Sequence, residues 1–300
     1  MFRKFWAWYK RPNKTTFEQY VETFIVIVPL AFVIRTYFYG LYQVPTGSME
    51  VTMLVGERFF ADKFTILFSP PKRGDIISFN DPDYNYSKNP LMRLYEHYVW
   101  GPSNWTKRVI GVPGDHVKGV IENGKPEIYI NGQKLDQPFI NPYQLIAEGT
   151  GSGGIRYKTW DPNYSYENQP FYRLNEYQVF LAKKLLRQHG LNNIKYPYEP
   201  EGIKDEYDIH LGPNEYWVLG DNRRGSNDSR FFGKLDGSLI HGKIVWRILS
   251  IDSKGGNFSW SDIFNNPIEY LETWLVFDII LHPIDFWSRV RWSRFFQPVR

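Results

Sequence analysis

Three short segments carry polar groups that folding alone does not require. The first is PTGSM at 45–49, where Pro45 and Gly47 set a tight turn that exposes Ser48. A serine hydroxyl becomes a useful nucleophile when a neighbouring base takes its proton, and that base is usually histidine. The six histidines are His97, His116, His189, His210, His241 and His282, and none sits in a recognisable triad context. Lys107 offers another base. It opens the apolar run of WTKRVIGVPGD, with Trp105 and Val109 at alternate positions on its own face. Burial penalises the ammonium form and lowers a lysine's pKa. At the ordinary value of about 10.4, only a few amines in ten thousand are neutral at pH 7, and a shift of two to three units makes a working base. The third segment, GDNRRGSNDSRFFG at 220–233, holds Asp221, Asn222, Arg223, Ser226, Asp228, Ser229 and Arg230. Each segment also has a plain reading: a loop serine, a strand-end lysine whose ammonium reaches water, and a polar turn tied by an Asp–Arg pair.

The elements that must position these groups are short strands. Between about residues 43 and 140 the runs RFFADKFTILF, DIISF, RVIGV and HVKGVI are rich in β-branched and aromatic residues, with PPKRGD and GVPGD as turns. EIYI-NG-QKL predicts a hairpin, because Asn131-Gly132 supplies the positive φ of a type I′ turn. Strands resume at EYWVLGDN and GKIVWRILSI. Between them, 141–205 reads as an inserted subdomain: GTGSGG at 149–154 is a flexible link, and Leu174, Tyr177, Phe180, Leu181 and Leu185 have helical spacing before Gly190.

Ahead of the strands lies an uncharged run, Phe24 to Ile34, followed by Arg35 and TYFYGLYQV. A helix over 21–39 is about 28 Å long and crosses a bilayer core of about 30 Å. Pro29 is tolerated in such a span, and Tyr37, Tyr39 and Tyr42 suit the interface. No small-x-small cleavage site follows, which favours an anchor over a removable signal. Arg3, Lys4, Lys10, Arg11 and Lys14 precede the run, and no Lys or Arg stands between Arg35 and Arg58, which places 1–20 in the cytoplasm and the rest outside. The last stretch, 253–300, has Trp260, Trp274, Trp287 and Trp292 and reads as a membrane-interface or core-capping segment.

Composition closes other routes. The 300 residues include no cysteine, which excludes thiolate metal sites, iron–sulfur ligation and a cysteine nucleophile. A net charge of +4 from 36 basic and 32 acidic residues is too small to argue for nucleic acid. The mean hydropathy of −0.45 excludes a polytopic membrane protein.

PTGSM, KRVIGVPGD and GDNRRGSNDSR, in that order after a membrane segment, resemble the boxes of bacterial type I signal peptidases, and RGDIISF at 73–79 matches a fourth. The resemblance runs from the anchor to about Ile251, apart from the insertion. It implies a mainly β fold: a coiled antiparallel sheet as catalytic core, over 40–140 and 206–252, beside one N-terminal span in the inner membrane. It implies a serine endopeptidase with a Ser–Lys dyad, using no metal and no cofactor, that removes signal peptides from secretory preproteins. On that pattern Ser48 is the nucleophile and Lys107 the general base. Thr46 joins the Ser48 N–H in the oxyanion hole, Ser226 hydrogen-bonds and orients the lysine, and Asp228 with Arg230 is a buttressing ion pair. Tyr42, Val44 and Met53 line the side-chain pockets. Val51 stands where the family usually has proline, and Arg224-Gly225 replaces a more polar pair. Two other readings compete. A self-cleaving regulator with a similar dyad needs a DNA-binding module, and no helix-turn-helix pattern precedes the anchor. A membrane-tethered β scaffold without turnover would not need all five polar roles.

Overall fold

The computed structural model describes residues 15–44, 46–54, 57–98, 101–123, 125–141, 144–149, 155–160, 204–251, 283–288 and 290–299. Helix α1 (Thr16–Tyr37) begins at a capping box: the Thr15 hydroxyl accepts from the Glu18 N–H, and the Glu18 carboxylate accepts from the Thr15 N–H. Its apolar window has a mean hydropathy of 1.7 and none of it is buried against the rest of the chain. By length and composition it can cross a bilayer. The helix lies earlier than the expected 21–39. It ends at Tyr37 because Tyr39 to Gln43 form strand β1, paired antiparallel with Asp62 to Arg58. Tyr39 and Tyr42 therefore sit in a sheet. The Tyr42 hydroxyl is 3.0 Å from His241 Nδ1.

The remaining strands are β2 (Arg58–Asp62), β3 (Ile76–Asn80), β4 (Asn104–Gly111), β5 (His116–Glu122), β6 (Lys125–Ile130), β7 (Gln133–Lys134), β8 (Gln144–Gly149), β9 (Ile155–Trp160), β10 (Tyr207–His210), β11 (Glu215–Leu219), β12 (Leu235–Asp236), β13 (Ile240–Leu249) and β14 (Gln297–Pro298). Short helices α2 (Pro90–Tyr98), α3 (Ser229–Phe232) and α4 (Pro283–Ser288) interrupt them. The large sheet has the order β1-β2-β13-β3-β4-β11-β12, with β14 also on β13. The ten residues of β13 pair with β3 at one end and β2 along the rest, with register shifts near Gly242, Trp246 and Leu249. Such irregularities bend a strand and raise its twist, which coils the sheet. A small sheet, β10-β5-β6-β7, packs beside it. Its β6–β7 turn is the one expected from Asn-Gly: Asn131 has φ 51 and Gly132 φ 82. Every named pairing is antiparallel, and the fold is mainly β, as expected.

Alternation along β4 serves two cores. Val109 faces Ile77, Phe79 and Val218, whereas Ile110 faces Val117, Trp217 and Leu219. A third cluster joins Val44, Met49, Met53, Phe59, Ile76 and Ile244. In the insertion, β8 and β9 pair antiparallel, with Gly149 opposite Ile155; 150–154 of the expected link lie outside the described residues. The helix expected over 174–190 lies outside the described residues.

The described part of the C-terminal stretch packs against the large sheet. β14 adds to β13, and Phe286 and Val290 pack on Leu249 and Ile251. The Glu57 carboxylate, fully buried, accepts from Arg294 Nε at 2.7 Å, Arg247 Nε at 3.1 Å and Ser250 Oγ at 2.7 Å. Both arginines also donate to the Thr52 carbonyl. The tail thus holds the 50–57 loop that follows Ser48. Trp260 and Trp274 lie outside the described residues.

Removing one partner of a buried ion pair costs more than the pair contributes, because the other charge stays desolvated. Glu57→Ala strands Arg247, which is 6% exposed, and should cost about 3–5 kcal/mol. Arg294→Ala leaves Glu57 paired with Arg247 and should cost less. Urea unfolding of the detergent-solubilised chain measures both, and equal losses would contradict this hierarchy.

Candidate active site

Ser48 sits in the middle of a 3-10 turn, Gly47–Met49, instead of on an exposed loop, and is half-buried. Met49 anchors the turn in the core beneath it. From the other side, the 220–222 backbone clasps it. Asn222 N–H donates to the Ser48 carbonyl at 3.1 Å, and Asn222 Nδ2 donates to the Gly47 carbonyl at 3.0 Å. Gly220 makes this approach feasible, since a Cβ there would meet Ser226 Oγ at 2.2 Å and the Ser48 carbonyl at 2.5 Å.

Lys107 and Arg108 enter β4 as adjacent charges, so alternation sends them to opposite faces, and both are buried. The Lys107 amine is 3.0 Å from Ser48 Oγ and 3.1 Å from the Thr106 carbonyl, with the Trp105 ring 5.8 Å away. Desolvation lowers its pKa to about 8, against the opposing pull of the Asp228 and Asp221 carboxylates. At that value about one amine in ten is neutral at pH 7. Among the described side chains no histidine hydrogen-bonds Ser48. His241 bonds Tyr42 instead, and burial with the nearby Lys63 charge holds its pKa down to about 3.

Asp228 and Arg230 form a buried pair, Oδ1 to Nε 2.9 Å. Asp228 also caps α3 and accepts from the Gly220 N–H at 3.0 Å, while Arg230 Nη1 reaches Asp205 at 2.8 Å. The hydrogen bond expected between Ser226 and Lys107 is not made. Ser226 Oγ is buried and without a partner, because the lysine amine is turned to Ser48 and the Thr106 carbonyl. Thr46 is exposed and its hydroxyl does not cap the 3-10 turn. Tyr42, Val44 and Met53 come together in one cluster, yet Met53 is only 1% exposed and acts as core.

Sequence reading missed the second ion pair. Arg108 Nε and Nη2 donate to both oxygens of Asp221 at 2.8 and 2.7 Å, Nη1 donates to the Gly74 carbonyl, and the guanidinium lies over the Phe139 ring. Thr52 donates to the same carboxylate. A signal was present in the Lys-Arg dipeptide: two charges opening an apolar strand cannot both face water if the strand is covered on both sides. Glu57, Arg247 and Arg294 had no local signal.

The family described as signal peptidase, peptidase S26, matches residues 17–249. A signal peptidase I of Aquifex aeolicus is 30% identical over 246 residues, covering 75% of this chain and 81% of its own. One of Rickettsia bellii is 28% identical, covering 78% and 74%, and one of Buchnera aphidicola 26%, covering 81% and 78%. With the match running across the N-terminal helix, the Ser48 turn, the Lys107 strand and the loop behind them, this chain belongs to the signal peptidases of the S26 family.

Proposed function

We propose that this peptidase removes signal peptides from secretory preproteins with Ser48 as nucleophile and Lys107 as general base. The observation that carries the reading is the buried Lys107 amine 3.0 Å from Ser48 Oγ. The neutral amine takes the Ser48 proton as Oγ attacks the scissile carbonyl. The Ser48 N–H and the Thr46 hydroxyl meet the developing oxyanion. The lysine ammonium then protonates the leaving amine, and water, activated by the same lysine, hydrolyses the acyl-enzyme. The charges of Asp221 and Asp228 favour the ammonium formed in each transfer, while desolvation keeps the resting amine largely deprotonated above pH 8. Ser226 is a positioning residue whose unpartnered hydroxyl gains the lysine amine as partner once Ser48 is acylated. Substrate lies extended near Val44, with Tyr42 and Val44 as walls and Met53 beneath them, so that small side chains are admitted by exclusion of larger ones.

The chain is set in the bacterial inner membrane by α1, with residues 1–20 cytoplasmic and the sheets outside. Bilayer lipid meets exposed Trp292 and Phe296 of the tail. Preproteins and lipid are the partners; no cofactor, metal or nucleic acid takes part in cleavage.

Ser48→Ala and Lys107→Ala should each lose at least about a thousandfold in kcat/KM on a preprotein, read by a new N-terminus, with the fold retained. The rate should rise with pH through about 8 and level above it, because the active form is the neutral amine. A rate still climbing at pH 10 would show an unshifted lysine. Ser226→Ala should lower kcat and move that limb; an unmoved limb makes it a turn residue only. Gly220→Ala should cut kcat as sharply as a dyad variant, since its methyl displaces the Ser48 carbonyl. Unchanged turnover would mean that the 220–222 contact is dispensable. A cysteine at Lys4 should resist a membrane-impermeant thiol reagent in permeabilised-envelope cells, while one at Gly151 should react; equal labelling would overturn the orientation.

A further inference from the structure

The outer face of the small sheet carries a cluster that the dyad does not use. β10 pairs with β5 so that His210 stands directly opposite His116 and Asp208 opposite Lys118. Residues two apart share a strand face, so both histidines and Asp208 project the same way. The opposite face, with Val117, Ile128 and Ile130, is core, which fixes the register that exposes them. The imidazoles lie 4.1 Å apart between centroids and nearly parallel, at 11°. Asp208 Oδ1 is 2.5 Å from His116 Nε2, and one donor atom from each of the three residues falls within 4.8 Å of the others.

Two imidazole nitrogens and one carboxylate oxygen suit a borderline divalent cation such as Zn2+, Ni2+ or Co2+. Directly opposed strand positions have Cβ atoms about 4.5–5.5 Å apart, close enough for two imidazoles to chelate one ion after small χ rotations. The backbone beneath is already held. His116 N–H donates to Asn131 Oδ1 at 2.9 Å, Asn131 N–H donates to the His116 carbonyl at 2.9 Å, and Asn131 Nδ2 donates to Asp115 at 2.8 Å. Lys118 Nζ, 3.7 Å from Asp208 Oδ2, is the cation that already neighbours this carboxylate.

We propose that His116, Asp208 and His210 form a site for one divalent transition-metal ion that clips β10 to β5. The clip sits just after Asp205, whose carboxylate meets Arg230, so it stiffens the segment leading to the 220–230 loop. It is a structural site: no catalytic group touches it, and cleavage does not require it.

The test uses the full chain in detergent, stripped with a chelator and titrated with Co2+, then Zn2+. The expected result is one equivalent of Co2+ with visible d–d absorption, displaced by Zn2+, and a raised thermal midpoint with either ion. His210→Ala, His116→Ala and Asp208→Asn should each weaken binding by at least about tenfold. His189→Ala should not, and Lys118→Ala should bind as tightly or more tightly because the competing cation is gone. His210→Gln covers the case in which the alanine variant misfolds. Preprotein cleavage by the stripped enzyme should continue, separating this site from the dyad. The proposal is overturned if no equivalent binds by about 1 mM metal, or if binding survives in His210→Ala and His210→Gln.

Discussion

The amine of Lys107 is held between two opposing forces. Burial inside the covered strand β4 favours the neutral form, while the carboxylates of Asp221 and Asp228 favour the charged one. The net result leaves the pKa about 8, so that a fraction of the amine is neutral near pH 7. Both parts of that balance need the same architecture. The strand must be covered on both faces, and two acidic groups must be brought close without binding the amine directly.

The two carboxylates are kept from the lysine by partners of their own. Asp221 is gripped at both oxygens by Arg108, and Asp228 by Arg230 together with the Gly220 N–H. A free carboxylate at hydrogen-bond distance would trap the lysine as a permanent ammonium. Buried pairs of this kind contribute little to stability, since desolvation offsets their attraction. Here they set the distance and direction of charge. They also fasten the 220–230 loop, which in turn fastens the Ser48 turn through Asn222.

The far side of that turn is held by a second charged cluster. Glu57, Arg247 and Arg294 bind the 50–57 loop to β13 and to the C-terminal segment. Ser48 is therefore fixed between parts of the chain more than a hundred residues away in each case. Helix α1 leads straight into β1, so the apolar helix and this frame are joined without a linker.

Much of this was legible in the residues themselves. Period-two runs with Gly, Pro and Asn turns read as antiparallel strands, and the Asn131-Gly132 hairpin stands where it was expected. The uncharged run after a basic flank read as a spanning helix, although pairing of Tyr39 to Gln43 with β2 shortened its far end. Ser48 and Lys107 stood out because their residue types match a chemistry and their segments match a family pattern. Other features belong to tertiary structure alone. The 3.0 Å approach of Lys107 to Ser48 joins residues 59 apart. The Arg108–Asp221 pair and the Glu57 cluster join residues 113 and up to 237 apart, with no local spacing to announce them. The unpartnered Ser226 hydroxyl depends on where the lysine amine points. Short-range propensity and pattern determine which strands and turns form; the long-range pairing of strands decides which charges are buried together, because only closure of the sheet removes the water that would otherwise keep them apart.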